Sequence, residues 1–325
     1  MKAQQIIGVD VSKLTLDVCI RPAGKTLQVS NDLAGFKLLK KKLENSENAL
    51  IIMEHTGNYS CRFEKFLHHN GIGFCKVAAL QIKRSLGLVR GKSDKLDASR
   101  IADYGWLRRD QMETNPDVDQ DILDLRSLLS LRAKMVRDQA GYKARLKESV
   151  ATGQCLATSM AAKMQRDIIK GFANNIAKLE VQIQETISKN SARKQNFQLL
   201  KGIKGVGSVI AAHMLAYTHN FKRFCNARKF NCYAGLAPFS HQSGTSIRGR
   251  SRVSHLANKE LKTLLNLGAS TAIQHNQELK DYYQRRIAEG MRRMSCLNIV
   301  RSKIVARMFA VIKRQSPFIE LQSAA

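Results

Sequence analysis

A chain of 325 residues with 44% hydrophobic side chains holds enough apolar material for one large or two to three modest domains, and four prolines with 20 glycines argue against a long disordered linker. Its 54 Lys and Arg against 26 Asp and Glu, a formal charge of +28, call for a polyanion as partner. The cations are spread along the chain, aromatics are only 6%, and no apolar run approaches the ~18 residues of a membrane span, so the expected polyanion is nucleic acid and no membrane is expected.

The opening MKAQQIIGVD shows no secretory pattern. Seven cysteines, at 19, 61, 75, 155, 225, 232 and 296, include no C-x-x-C pair. A reducing, cytoplasmic setting is expected, with neither a disulfide framework nor a zinc site.

Residues 1–112 alternate strand and helix patterns. IIGVDVS, LDVCIRP and KTLQVSN are β-rich and closely spaced, which predicts an antiparallel meander. LAGFKLLKKKLEN is a helix with Leu33, Phe36, Leu39 and Leu43 on one side. ALIIMEHTG is continuously apolar, as a parallel strand covered on both faces must be. YSCRFEKFLHHNG is a second helix, GFCKVAA a further strand, and KSDKLDASRIADY a third helix. The order β-β-β-α-β-α-β-α is that of an α/β RuvC/ribonuclease-H-like domain.

Residues 113–195 turn wholly helical. Ile169, Phe172, Ile176, Leu179 and Ile183 follow heptad spacing, and two helices joined near Gly153 predict an antiparallel hairpin or short coiled coil. Intramolecular packing and dimerisation explain such heptads equally well.

Residues 196–325 form a mainly helical third piece. From Thr186 to Lys259 there are 13 Lys or Arg and no Asp or Glu. A surface that only needs solubility interleaves both signs, so these faces are expected to meet phosphates. Within the segment, LLKGIKGVGSVIAAHMLA has the form of a helix-hairpin-helix. Gly205 and Gly207 would let the turn approach DNA, Lys204 adds charge, and free N–H groups opening the second helix would take a phosphate. Such a device grips backbone and reads no sequence.

Four acids stand against this positive background. Asp10 sits inside a strand, where an unpartnered carboxylate is costly. Glu54 ends the central apolar strand. In the expected sheet these two strands are neighbours, and Asp94 and Asp97, three apart on a helix, share a face. Four hard oxygen donors suit Mg²⁺, and two such ions stabilise both oxygens of a phosphoryl transfer.

IGVDVSK, MEHTGNY and KSDKLDA resemble the three acidic motifs of the DEDD transposases, insertion-sequence family one-hundred-and-ten, which includes a pilin-gene invertase. LLKGIKGVG, FNCYAGLAP and SGTSIRGRSRVS resemble the C-terminal transposase domain of the same family. The resemblance runs in order over about 5–110 and 198–310, and the middle suits the family's coiled coil. It implies a metal-binding set of Asp10, Glu54, Asp94 and Asp97 with Mg²⁺, and a serine nucleophile that falls on Ser243, the first serine of S-G-T-S. It also implies recombination of DNA by a homo-oligomer, a dimer or tetramer, with a structured guide RNA. Lys204 replaces a frequent proline, and His255 and Ala257 replace Lys and Gly.

From the residues alone, a serine needs activation, and no base is evident beside it. His241, Arg248, Arg250 and Arg252 are close in sequence, and the arginines would hold phosphate. Two other readings therefore stand beside recombination: a RuvC-like nuclease that cuts junctions with metal-activated water, and a nucleic-acid-binding protein without catalysis.

Overall fold

The structure is a computed structural model that describes residues 5–43, 49–55, 57–85, 87, 91, 93–115, 119–244 and 247–319. The chain divides into two compact units, Met1–Asp117 and Val118–Ala325.

The first unit is built on a five-stranded sheet of order β3-β2-β1-β4-β5, formed by β1 (Gln5–Val11), β2 (Thr15–Arg21), β3 (Lys25–Ser30), β4 (Ala49–Glu54) and β5 (Phe74–Val77). The first three strands make the expected antiparallel meander, and β4 runs parallel to both β1 and β5. Side chains alternate across the sheet. Ile7, Val9, Val11, Leu16, Val18, Ile51 and Met53 point to one face, where α1 (Leu33–Leu43) and α2 (Cys61–His69) cover them with Phe36, Leu39, Phe63 and Leu67. Leu33, expected on the inner side of α1, is instead 59% exposed at the helix start. Ile6, Leu50 and Ile52 point to the other face, beneath α3 (Ala79–Ser85) and α4 (Asp94–Leu107). Apolar residues on both faces explain why β4 reads as an unbroken hydrophobic run.

The second unit contains α5 (Gln120–Ala151), α6 (Met160–Ser188), α7 (Ser191–Lys201), α8 (Ser208–Tyr217), α9 (Ala227–Tyr233), strands β6 (Pro238–Ser243) and β7 (Ile247–Val253), then α10 (Lys259–His275), α11 (Gln277–Ala288) and α12 (Arg293–Arg314). α5 and α6 lie side by side: Arg132 pairs with Glu180, Gln139 donates to the Ile169 carbonyl, and Tyr142 meets Phe172. One core joins Leu125 and Leu129 of α5 and Ile183 and Ile187 of α6 to α7, α8, α10 and α12. The near-continuous apolar sequence of α8 reflects this, since Ile210 through Ala216 are all buried. Arg193 of α7 is 1% exposed and is held at 2.6 Å by Asp121 in the first turn of α5.

From the sequence no strand is expected in SGTSIRGRSRVS, yet the β6–β7 hairpin forms there. Its signal is a Ser-Gly turn between two extended runs, and Gly244 there has φ +55°, which favours glycine.

Candidate functional site

α4 fixes the acids of the first unit. Ser93 caps its N-terminus by accepting from the Leu96 N–H. The helix lies so close to β1 that a Cβ on Gly8 would come within 2.4 Å of the Ala98 carbonyl oxygen. Ala98 and Ala102, both fully buried, keep that approach possible. Arg21 of β2 pins the other end, donating to Asp103 at 2.6 Å and to Ser99 at 3.0 Å.

Gly8 and Asp10 are two residues apart on β1, so both face α4. Glu54 stands on the same face at the C-terminal end of the parallel neighbour, one step beyond the Val9–Met53 pair. Asp94 and Asp97 occupy the first turn of α4, where the helix dipole favours negative charge. The electrostatics register this convergence. Burial pushes the Asp10 carboxyl up to about 6, helped by the charges of Asp94, Asp97, Glu54 and Asp17, in that order. The other three acids expected from the sequence thus each act on the Asp10 carboxyl.

Asp17 is a fifth acid that sequence reasoning missed. It sits directly opposite Asp10 in the β1–β2 register, only 7% exposed, and takes two 3.1 Å hydrogen bonds from Gln28 of β3. The available signal was an acid inside a second apolar strand, LDVCI, paired across a short turn with the first.

Among the described residues, no three His, Cys, Asp or Glu side chains form a ready metal cage. Asp97 is engaged by Arg100 at 2.8 Å, and Arg100 also donates to the Gly91 carbonyl. The donor chemistry nevertheless fits a hard divalent cation: carboxylate oxygens only, one of them holding its proton to about 6 through burial first and its negative neighbours second.

In the second unit, Ser243 is the last residue of β6, paired with Ile247 across the turn. The side chains of Ser243, His241 and Arg248 lie outside the described residues, as do Thr245 and Ser246 entirely. Arg250 and Arg252 are exposed on β7. The two hairpin glycines between α7 and α8 differ. Gly205, at φ +88°, packs against α10, where a Cβ would lie 2.4 Å from the Gly268 carbonyl oxygen. Its lack of a side chain thus serves internal packing. Gly207 has open space around it and is the N-cap of α8, with no side-chain cap on the helix. Lys204 beside them is exposed.

Residues 7–152 match the model of a DEDD-type IS110 transposase family, and residues 197–284 match that of the transposase IS116/IS110/IS902 family. The chain belongs to this transposase family. The acids fall inside the first matched region and Ser243 inside the second. This transposase is 26% identical to the pilin gene-inverting protein of Moraxella bovis over 96% of its own length and 97% of that relative. The pilin gene-inverting protein of Moraxella lacunata is equally similar, with the same coverage. This transposase is also 21% identical to an uncharacterized protein of insertion element IS116 from Streptomyces clavuligerus, over 96% of its own length and 95% of that relative. Among the described residues no helix is long and apolar enough to cross a membrane.

Proposed function

We propose that this transposase is a Mg²⁺-dependent DNA recombinase that cuts and rejoins strands through a covalent serine–DNA intermediate, as a homo-oligomer and under the direction of a structured RNA. The observation that carries the metal-dependent part is geometric: Asp10 and Glu54 stand on the same face of neighbouring parallel strands, and the helix packed on that face opens with Asp94 and Asp97. Asp10, Glu54, Asp94 and Asp97 would hold the ion, with Asp17 adding negative charge from the adjacent strand. Bound there, a divalent cation would supply charge neutralisation at the phosphate and ease loss of a hydroxyl proton.

The serine and RNA parts rest on family membership, on S-G-T-S at the hairpin turn, and on the acid-free segment around it. In the cleavage step the Ser243 hydroxyl oxygen forms a bond to a DNA phosphorus and loses its proton. The bond to one deoxyribose oxygen breaks, and that oxygen takes up a proton. The number of phosphoester bonds is unchanged, so the step runs backwards onto a new strand without an external energy source. Arg250 and Arg252, as guanidinium forks, would hold the phosphate oxygens in between. Lys204 and the α8 N-terminus at Gly207 would grip backbone elsewhere on the same unit.

The test is denaturing electrophoresis of the protein with labelled substrate DNA, the proposed structured RNA, and Mg²⁺. Wild type should leave a protein–DNA adduct, and Ser243→Ala should bind DNA yet leave none. Ser246→Ala should still form it. Efficient cleavage by Ser243→Ala with free DNA ends would transfer the assignment to a nuclease that uses water.

A further inference from the structure

A cleft of about 790 Å³ opens at the foot of the β6–β7 hairpin, lined by Tyr233, Phe239, Gly249, Arg250, Arg252 and Leu256 among others. Its volume lies within the ~300–1,000 Å³ of small-molecule sites. Among the described residues no carboxylate lines it. Phe239 is 50% exposed and Leu256 65%. Phe239 is the only exposed phenylalanine among the described residues. The neighbouring aromatics behave differently: Phe224, Phe230, Tyr233 and Phe309 pack on one another, and Arg223 covers the Tyr233 ring at 4.7 Å. Phe239 has no ring partner in that cluster and lines the cleft half exposed.

The hairpin's register explains how cations reach the same place. Phe239 pairs with Arg252, but His241 pairs with Gly249, so β7 carries one extra residue between them. A bulge of this kind bends the strand and re-aims its side chains. Gly249, Arg250 and Arg252, at this irregularity, all line the cleft. An exposed ring flanked by guanidinium groups, in a stretch without acids, matches a nucleotide: a flat base to stack and a phosphate on either side. An apolar protein side chain would not need the arginines.

We propose that this cleft receives an unstacked base of a single-stranded DNA segment, stacked on Phe239, with Arg250 and Arg252 on the adjoining phosphates. The proposal rests on the DNA-recombinase reading and adds to it a demand that the strand near the hairpin be opened.

The experiment is fluorescence-anisotropy titration of the full-length protein, in EDTA so that no strand is cut, with single-stranded DNA, the matching duplex, and single-stranded RNA of the same sequence. Phe239→Ala should weaken single-stranded DNA binding about tenfold while leaving duplex binding within about twofold. Phe239→Trp should restore it, and Phe239→Leu, which keeps apolar bulk without a π face, should not. Arg250→Ala should weaken both DNA forms and lower the salt slope by about one. Wild-type affinity in both Phe239→Ala and Phe239→Leu, or equal losses for duplex and single strand, would overturn the proposal. A loss confined to RNA would overturn it too and assign the cleft to RNA. Because no cutting is required, absence of a Ser243 adduct leaves this result readable; failure of wild type to bind any DNA would sink the recombinase reading itself.

Discussion

In the first unit, three carboxylates stand on one sheet face and two more open the helix packed on that face, while the opposite side of the sheet is buried under apolar side chains; in the second, the acid-free run from Thr186 to Lys259 spreads 13 cations over helices, turns and a two-stranded ribbon. Both arrangements concentrate charge of one sign, and both are costly without an opposite charge from outside. They differ in how tightly the groups are set. Asp10 and Glu54 are held by strands in the core, and Asp94 and Asp97 by a helix that touches backbone to backbone. Arg250 and Arg252 stand on an exposed hairpin. Coordinating a small cation tolerates little positional error, whereas gripping a phosphate chain tolerates a good deal.

The largest effect should come from breaking the acid side. Asp94→Ala with Asp97→Ala should lower recombination by about a thousandfold or more. Folding and DNA binding should persist, because removing negative charge near DNA does not weaken the grip. A double variant that recombines at the wild-type rate would end the metal-site assignment.

The basic side is sharpened by its two glycines. Gly205→Ala should destabilise the protein by about 2–4 kcal/mol in urea unfolding, through a positive φ and a clash with α10. Gly207→Ala should stay within about 1 kcal/mol and show its effect in DNA affinity. Equal stability of the two variants would contradict the packing role of Gly205.

The smallest effect is a pH dependence of the metal-free protein. The folded Asp10 carboxyl keeps its proton up to about 6, against an ordinary 3.8. The folded state therefore binds that proton more tightly than the unfolded chain. The contribution favours folding at low pH and is lost as pH rises from about 4 to 6. Asp10→Asn should raise stability in EDTA by about 1 kcal/mol at pH 7.5, after allowing for solvent screening at a half-buried site. At pH 4 the gain should vanish. Thermal unfolding at the two pH values gives the difference, and a gain that is the same at both would contradict the upward shift of the Asp10 carboxyl.

The elements of the first unit were legible because its periodicities are strong: alternating strands, one doubly covered strand, and helices with clear apolar sides. The acids stood out because carboxylates within or just beyond apolar strands are expensive. Asp17 escaped notice because its significance lies in register, and register is a long-range property that LDVCI alone does not carry. Gly205 was read as approaching DNA because a glycine turn gives no hint of what packs against it; Gly268 lies 63 residues further on. The β6–β7 hairpin escaped because Arg and Ser alternate there where strands usually show Val or Ile.

The long helices of the second unit carry a mechanical consequence. Only Ile122, Leu125 and Leu129 of α5 are buried; Ser130–Ala151 has no buried side chain. At 1.5 Å per residue those 22 residues extend about 33 Å. A rod seated at one end is a lever: a slight rotation about its seat near Leu125 and Leu129 becomes a large displacement where the chain turns back at Gly153.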